Sequence, residues 1–305
     1  MPALPRQLPL LPTPRQAHVP SSAARAAAAA SRVPFGERLA AAMNKHGQLC
    51  VGIDPHPALL SSWGLNDDVT GLRSFSLTVV EALAGHVAAL KPQVALYERH
   101  GSRGLAVLEE TLALCAQGHV LSIADAKRGD IGSTMAAYAD AWLGEGSPLA
   151  ADAVTLSPYL GYESLRPALD LAAATGRGVF VLGLTSNPEG ASVQHVGGSA
   201  SVAKGVIQSV GAENAGALPF GSTGLVIGAT VGSALEELGI NLAASHAPIL
   251  APGLGAQGAT GADMKASFGA FWPQVLGTSS RDILKAGPTA AALCDAAAAT
   301  RDSLL

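Results

Sequence analysis

The chain has 305 residues, 49% hydrophobic and 14% charged, with a net charge of −4. That is enough apolar material for a large core and too little charge for wholesale disorder. The longest charge-free stretches, 214–235 and 238–262, are interrupted by prolines, glycines and polar side chains, so neither reads as a membrane span. An acidic balance argues against nucleic acid as the main partner. Three cysteines, Cys50, Cys115 and Cys294, have no CxxC spacing and fit a reducing cytoplasm.

Residues 1–33 carry four arginines (Arg6, Arg15, Arg25, Arg32), no acid, six prolines and the alanine-rich run Ala23–Ala30. An acid-free, arginine-bearing start resembles a transit peptide, but the amphipathic pattern is missing, and a disordered extension is the expectation. Residues 34–305 then read as one domain in which short apolar runs alternate with helix-length segments. Strands are expected at Leu49–Asp54, Val87–Lys91, Val120–Asp125, Ala153–Leu156, Gly178–Leu184, Gly224–Ala229, Pro248–Ala251 and Val275–Thr278. Each is nearly all apolar, as in parallel sheets covered on both sides. Helices are expected at Val69–His86, Leu105–Gln117, Thr134–Leu143, Ser164–Ala174, Ala200–Ala212 and Thr289–Arg301. Eight strand–helix units over about 270 residues match an α/β fold of the closed (β/α)8 type, the TIM barrel. Periodicity does not reveal closure, and an open doubly wound sheet is the second choice.

In such barrels the catalytic groups lie at the C-terminal strand ends. The third strand runs into Asp125-x-Lys127-x-x-Asp130, which with Arg128 makes four charges within six residues of a charge-poor chain. Alternation along a strand points Asp125 and Lys127 the same way. Each keeps the other ionised when buried. A structural ion pair is the plainer reading of the same spacing. Lys91 ends the second strand and adds a cation beside them. Asp54, before Pro55, either starts a turn or accepts hydrogen bonds from ligand hydroxyls. Ser186-Asn187-Pro188 is a turn by composition, with uncharged donors and acceptors suited to a heterocycle edge.

Gly253-x-Gly255-x-x-Gly258 matches a dinucleotide fingerprint in letters only. It falls on the penultimate strand, whereas the fingerprint belongs to a first βαβ unit with a later acid. In a barrel this loop and the next bind phosphate through backbone N–H groups. Arg281, after the eighth strand, supplies a fork for a phosphate dianion; a tight glycine turn followed by a surface arginine is the plainer reading of the same residues. The eight histidines show no metal-ligand spacing, and neither a nucleophile elbow nor a P-loop lysine is present.

Taken together, Asp125-Ala-Lys127-Arg-Gly-Asp130-Ile131-Gly-Ser-Thr134 resembles the signature of the orotidine 5′-phosphate decarboxylases. Val51-Gly-Ile-Asp54-Pro-His, Leu90-Lys91-Pro-Gln93, Thr185-Ser186-Asn187-Pro188, Ala251-Pro-Gly-Leu-Gly-Ala-Gln257-Gly and Ser279-Ser-Arg281 agree in the same order. Lys91-Pro-Gln-Val-Ala-Leu-Tyr-Glu-Arg-His-Gly101 is similar to the longer bacterial subgroup. The resemblance implies a cytoplasmic homodimeric barrel that converts orotidine 5′-phosphate to uridine 5′-phosphate and CO2 without a cofactor or metal. It implies a charged array of Lys91, Asp125 and Lys127, completed by Asp130 of the partner subunit, with Lys127 as proton donor. Asp54 would face a ribose hydroxyl and Ser186 the pyrimidine. Ile131 and Thr134 would reach across the dimer interface, and Gly255, Gln257 and Arg281 would hold the phosphate. A metal-dependent sugar-phosphate lyase or synthase on the same barrel, and a non-catalytic phosphometabolite-binding dimer, are the competing readings.

Overall fold

The computed structural model describes residues 31–255 and 259–304. The 1–30 part of the expected extension and Gln257 lie outside them. Eight parallel strands close into a barrel in sequence order. They are β1 (Leu49–Ile53), β2 (Ala89–Pro92), β3 (Leu121–Arg128), β4 (Ala153–Leu156), β5 (Gly178–Leu184), β6 (Thr223–Ile227), β7 (Ile249–Pro252) and β8 (Val275–Ser279). Closure comes from β8 pairing with β1, where Leu49 faces Gly277 and Val51 faces Ser279. The open doubly wound alternative is thereby excluded.

Every expected strand forms within two residues of its expected limits except β3, which runs on to Arg128. Its last residues are charged, so an apolar pattern stops short of them. The expected helices form with shifted ends. Val69–Leu83 starts on an Asp68 cap that accepts from the Gly71 N–H, and it stops before Gly85, whose φ of 82° is left-handed. Among the helices that the pattern does not reveal, two have eight residues or more. Phe35–His46 continues the alanine-rich composition of the preceding segment, and Gly261–Phe268 begins on a Thr260–Asp263 capping box.

Strand alternation sorts the buried residues into two layers. One set, including Val51, Leu90, Ala124, Val154 and Val181, packs outward against the helices. The other, including Cys50, Ala89, Ile123, Ala153, Phe180, Leu250 and Leu276, fills the barrel interior together with Phe35 and Leu39 of the first helix. That helix plugs the N-terminal end. Phe35 meets Phe180 edge-on at 5.9 Å between ring centroids, a favoured aromatic geometry. Gly178 and Gly224 make room for it, since a Cβ there would stand 2.2 Å from the Phe35 ring and 2.4 Å from the Phe180 ring. With the lower interior sealed by aromatic and aliphatic side chains, the next inward-facing residues, Lys91 after Ala89 and Asp125 after Ile123, open toward the C-terminal mouth.

Candidate active site

A cavity of about 240 Å3 occupies that mouth, with Asp54, Lys91, Gln93, Asp125 and Lys127 on one side and Pro252, Gly253, Leu254, Ser280 and Arg281 on the other. Leu182, Val226 and Leu250 form its apolar floor.

Register places the charges. Gly52 of β1 faces Lys91 of β2, and Gln93 bridges to Asp125 of β3. Lys91 Nζ donates to Asp125 Oδ2 at 2.8 Å and Lys127 Nζ to Asp125 Oδ1 at 2.6 Å. Gln93 Nε2 donates to Oδ2 and Thr155 Oγ1 to Oδ1, each at 3.0 Å. Asp125 thus accepts two hydrogen bonds on each oxygen, close to the full capacity of a carboxylate. Its 8% exposure and the 5% of Lys91 leave the pair nearly dry, whereas the Lys127 side chain is 47% exposed. Lys127 is therefore anchored at a buried acid while its side chain lines the mouth.

The two buried charges keep their ionised forms. Burial pushes the Asp125 pKa upward, but the Lys91 and Lys127 ammoniums and their hydrogen bonds outweigh it and hold the carboxyl well below the usual range. Burial likewise pulls Lys91 down, and the nearby Asp125 and Asp54 more than reverse it. Cys50, deeper in the interior, is pushed up to about 12, chiefly by burial, and stays a neutral thiol.

The alternation expected for Asp125 and Lys127 brings both into the mouth, though by an irregular backbone. β3 advances from Ala124 to Arg128 while β4 advances only from Val154 to Leu156, and Lys127 takes φ 47° within that bulge. A non-glycine residue in the left-handed region costs on the order of 1 kcal/mol. The Lys127 N–H is satisfied by Thr155 Oγ1 at 2.9 Å.

Asp54 Oδ1 and Ser280 Oγ are buried and have no hydrogen-bond partner among the described residues. Leaving such atoms unpaired costs about 1–3 kcal/mol each, and both residues border the cavity. Across the mouth, Gly253 (φ 121°) and Gly255 (φ 75°) shape a tight loop. A Cβ at Gly255 would come within 2.1 Å of Asp282 Oδ2, so backbone and not side chain faces this wall. Arg281 opens the short helix Arg281–Leu284 beside it.

Of the expected site residues, Asp54, Lys91, Asp125, Lys127 and Arg281 line the cavity, whereas Gly255 follows the lining residue Leu254 without lining it. Asp130, Ile131, Thr134 and Ser186 do not line it within one chain. Asp130 Oδ1 accepts from the Ile131 N–H and makes no ion pair with a described residue. Ile131 is 61% exposed. Ser186 lies on the exposed loop after β5, where Thr185, Asn187 and Gln194 are tied to one another. Sequence reasoning missed Gln93 and Thr155. Their signal was parity: Gln93 follows Lys91, and Thr155 follows Ala153, at the two-residue spacing that keeps a side chain on the inner face.

Comparisons with known proteins agree with this arrangement. Residues 47–295 match the model of the "Orotidine 5'-phosphate decarboxylase / HUMPS family". The chain is 57% identical over 265 residues to the orotidine 5′-phosphate decarboxylase of Salinispora arenicola, covering 86% of this chain and 94% of the relative. It is 56% identical to that of Streptomyces coelicolor, covering 87% and 94%. A crystal structure from Streptomyces avermitilis is similar at TM-score 0.86 and 54% identity, over 90% of this chain and 95% of that one.

Proposed function

The chain belongs to the orotidine 5′-phosphate decarboxylase family, and on that premise we propose that Lys127 is the acid that protonates the carbon losing CO2. The activity is decarboxylation of orotidine 5′-phosphate to uridine 5′-phosphate, a carboxy-lyase reaction. The observation that carries the reading is the array at the mouth of the barrel in which the buried Lys91–Asp125 pair anchors the Lys127 amine.

When the carboxylate leaves an sp2 ring carbon, the C–C bond breaks and its electron pair stays in the ring plane, outside the reach of the π system. A fixed ammonium beside that carbon stabilises the pair as it forms. One N–H proton then moves from Lys127 to the carbon, and the amine regains a proton from water through its exposed side. Lysine suits this role because arginine does not release a proton near neutral pH. Asp125 holds the donor in line and, lying beside the substrate carboxylate, favours its departure. Lys91 keeps Asp125 ionised.

Asp54 Oδ1, buried without a described partner, suits a ribose hydroxyl. Ser186 would touch the pyrimidine. Arg281, with Gly255 and Gln257, would hold the phosphate, whose binding energy can close loops over the array. A homodimer completes the site: Asp130 of the partner subunit would join Lys127, and Ile131 and Thr134 would cross the interface. Tyr159 (79% exposed) and Leu160 (54%), together with Ile131, give these loops an apolar surface for such a contact. No helix among the described residues is long and apolar enough to cross a membrane, and for an enzyme acting on a free nucleotide we place the reaction in the cytoplasm.

Absorbance at the pyrimidine band with orotidine 5′-phosphate as substrate, with and without EDTA, tests this reading. Turnover unchanged by the chelator is expected. Loss of turnover with EDTA would favour the metal-dependent lyase chemistry of the same barrel.

A further inference from the structure

β4 contains one polar residue, Thr155, in the run Ala153-Val154-Thr155-Leu156, and it is 1% exposed. Ala153 belongs to the barrel interior, so parity turns Thr155 inward as well. Its hydroxyl meets both partners of the anchored donor. The Lys127 N–H donates to Oγ1 at 2.9 Å, and Oγ1 lies 3.0 Å from Asp125 Oδ1. Direction is fixed by the chemistry of the groups. A backbone N–H only donates, so the hydroxyl accepts there and its single hydrogen is left for the carboxylate. The strand pairing of β3 with β4 is broken at this point, between Ala124 and Arg128. Lys127 stands there with φ 47°, a conformation that its own side chain disfavours.

We propose that Thr155 is a positioning residue for the decarboxylation. By tying the Asp125 carboxylate to the Lys127 backbone it fixes the bulge and holds the ammonium at its anchor. The inference rests on Lys127 as the proton donor. Four donors crowd Asp125, but Lys91, Gln93 and Lys127 each contact the carboxylate alone. Thr155 contacts both the carboxylate and the backbone that carries the donor. A threonine that merely satisfied a buried N–H would matter for stability and leave catalysis alone, which separates the two roles by experiment.

The test compares Thr155→Val, equal in volume but without the hydroxyl, with Thr155→Ser, which keeps it, in the full-length protein. Lys127→Ala serves as the reference for the donor itself. The readouts are kcat and KM with orotidine 5′-phosphate, Kd for uridine 5′-phosphate, and the thermal midpoint. For Thr155→Val, kcat should fall about 10- to 100-fold, the usual effect of a misplacement near 1 Å. KM and the product Kd should stay within about threefold, because the loss lies in the transition state. Thr155→Ser should recover most of kcat. Should Thr155→Val fail to fold, Thr155→Ser against Thr155→Ala makes the same comparison. The proposal is overturned if the hydroxyl-free variant keeps kcat within about twofold, if serine loses as much as valine, or if product binding weakens in step with kcat. Normal turnover by Lys127→Ala would instead remove the donor assignment, a result distinct from any of these.

Discussion

Replacing Lys91 by methionine, similar in length and apolar, isolates what the buried ammonium does. Its Nζ lies 2.8 Å from Asp125 Oδ2, with side-chain exposures of 7% and 9%, so solvent screens the pair little. Without it Asp125 keeps Lys127, itself 47% exposed, and Asp54 loses the nearby ammonium. Removing one member of a buried pair costs about 3–5 kcal/mol. In the wild type the depressed Asp125 pKa contributes stability that is present above its ordinary 3.8 and lost as pH falls through the lower folded value. The raised Lys91 pKa contributes stability present below its ordinary 10.5 and lost as pH rises through the higher folded value. Both contributions are intact at neutral pH. In Lys91→Met one of the two ammoniums that hold the Asp125 pKa down is gone while burial still pushes it up, so that pKa rises. The destabilisation should therefore shrink on acidification, by up to about 1.4 kcal/mol for each pH unit below the raised value. Urea unfolding at pH 5, 6 and 7 measures it. A loss below about 1 kcal/mol, or one that grows on acidification, would refute the reasoning.

Arg281→Ala should lower kcat/KM by about 2–5 kcal/mol of transition-state binding, through loss of a charge-assisted phosphate contact. Unchanged kinetics would reject the phosphate assignment. If each site takes Asp130 from the partner subunit, mixing inactive Lys127→Ala and Asp130→Ala chains should restore about a quarter of wild-type activity, since half the dimers are mixed and each has one intact site. Gel filtration of the mixture checks that dimers form, and a mixture that stays inactive while dimeric would count against sharing. Phe180→Ala, which empties a fully buried position against Phe35, should cost about 3–5 kcal/mol by thermal or urea unfolding. A loss under about 1 kcal/mol would mean that the aromatic plug does not stabilise the barrel.

The barrel was legible because every strand is a short apolar run between helix-length segments, and because the charges cluster after those runs. The same rule failed at β3. A strand whose inner face turns charged looks like a loop once Asp125 is reached, yet the ladder continues to Arg128. The backbone inversion at Lys127 left no trace in the sequence, since nothing in Asp-Ala-Lys-Arg signals a left-handed residue. Thr155 and Gln93 went unseen because a single uncharged polar residue reveals its direction only after the strand limits are known. Asp130, Ile131, Thr134 and Ser186 stand apart from the cavity for another reason. One chain folds Asp130, Ile131 and Ser186 onto loops and Thr134 onto the first turn of the helix Gly132–Leu143, and their expected roles depend on contacts with a partner or a substrate that a lone barrel does not make.

The most direct measurement is single-turnover conversion of orotidine 5′-phosphate by Lys127→Ala, read beside its affinity for uridine 5′-phosphate. Product binding close to wild type, with conversion slowed by many orders of magnitude, is the expected result. Conversion near the wild-type rate would show that the proton comes from elsewhere and that the Asp125-anchored amine is not the donor.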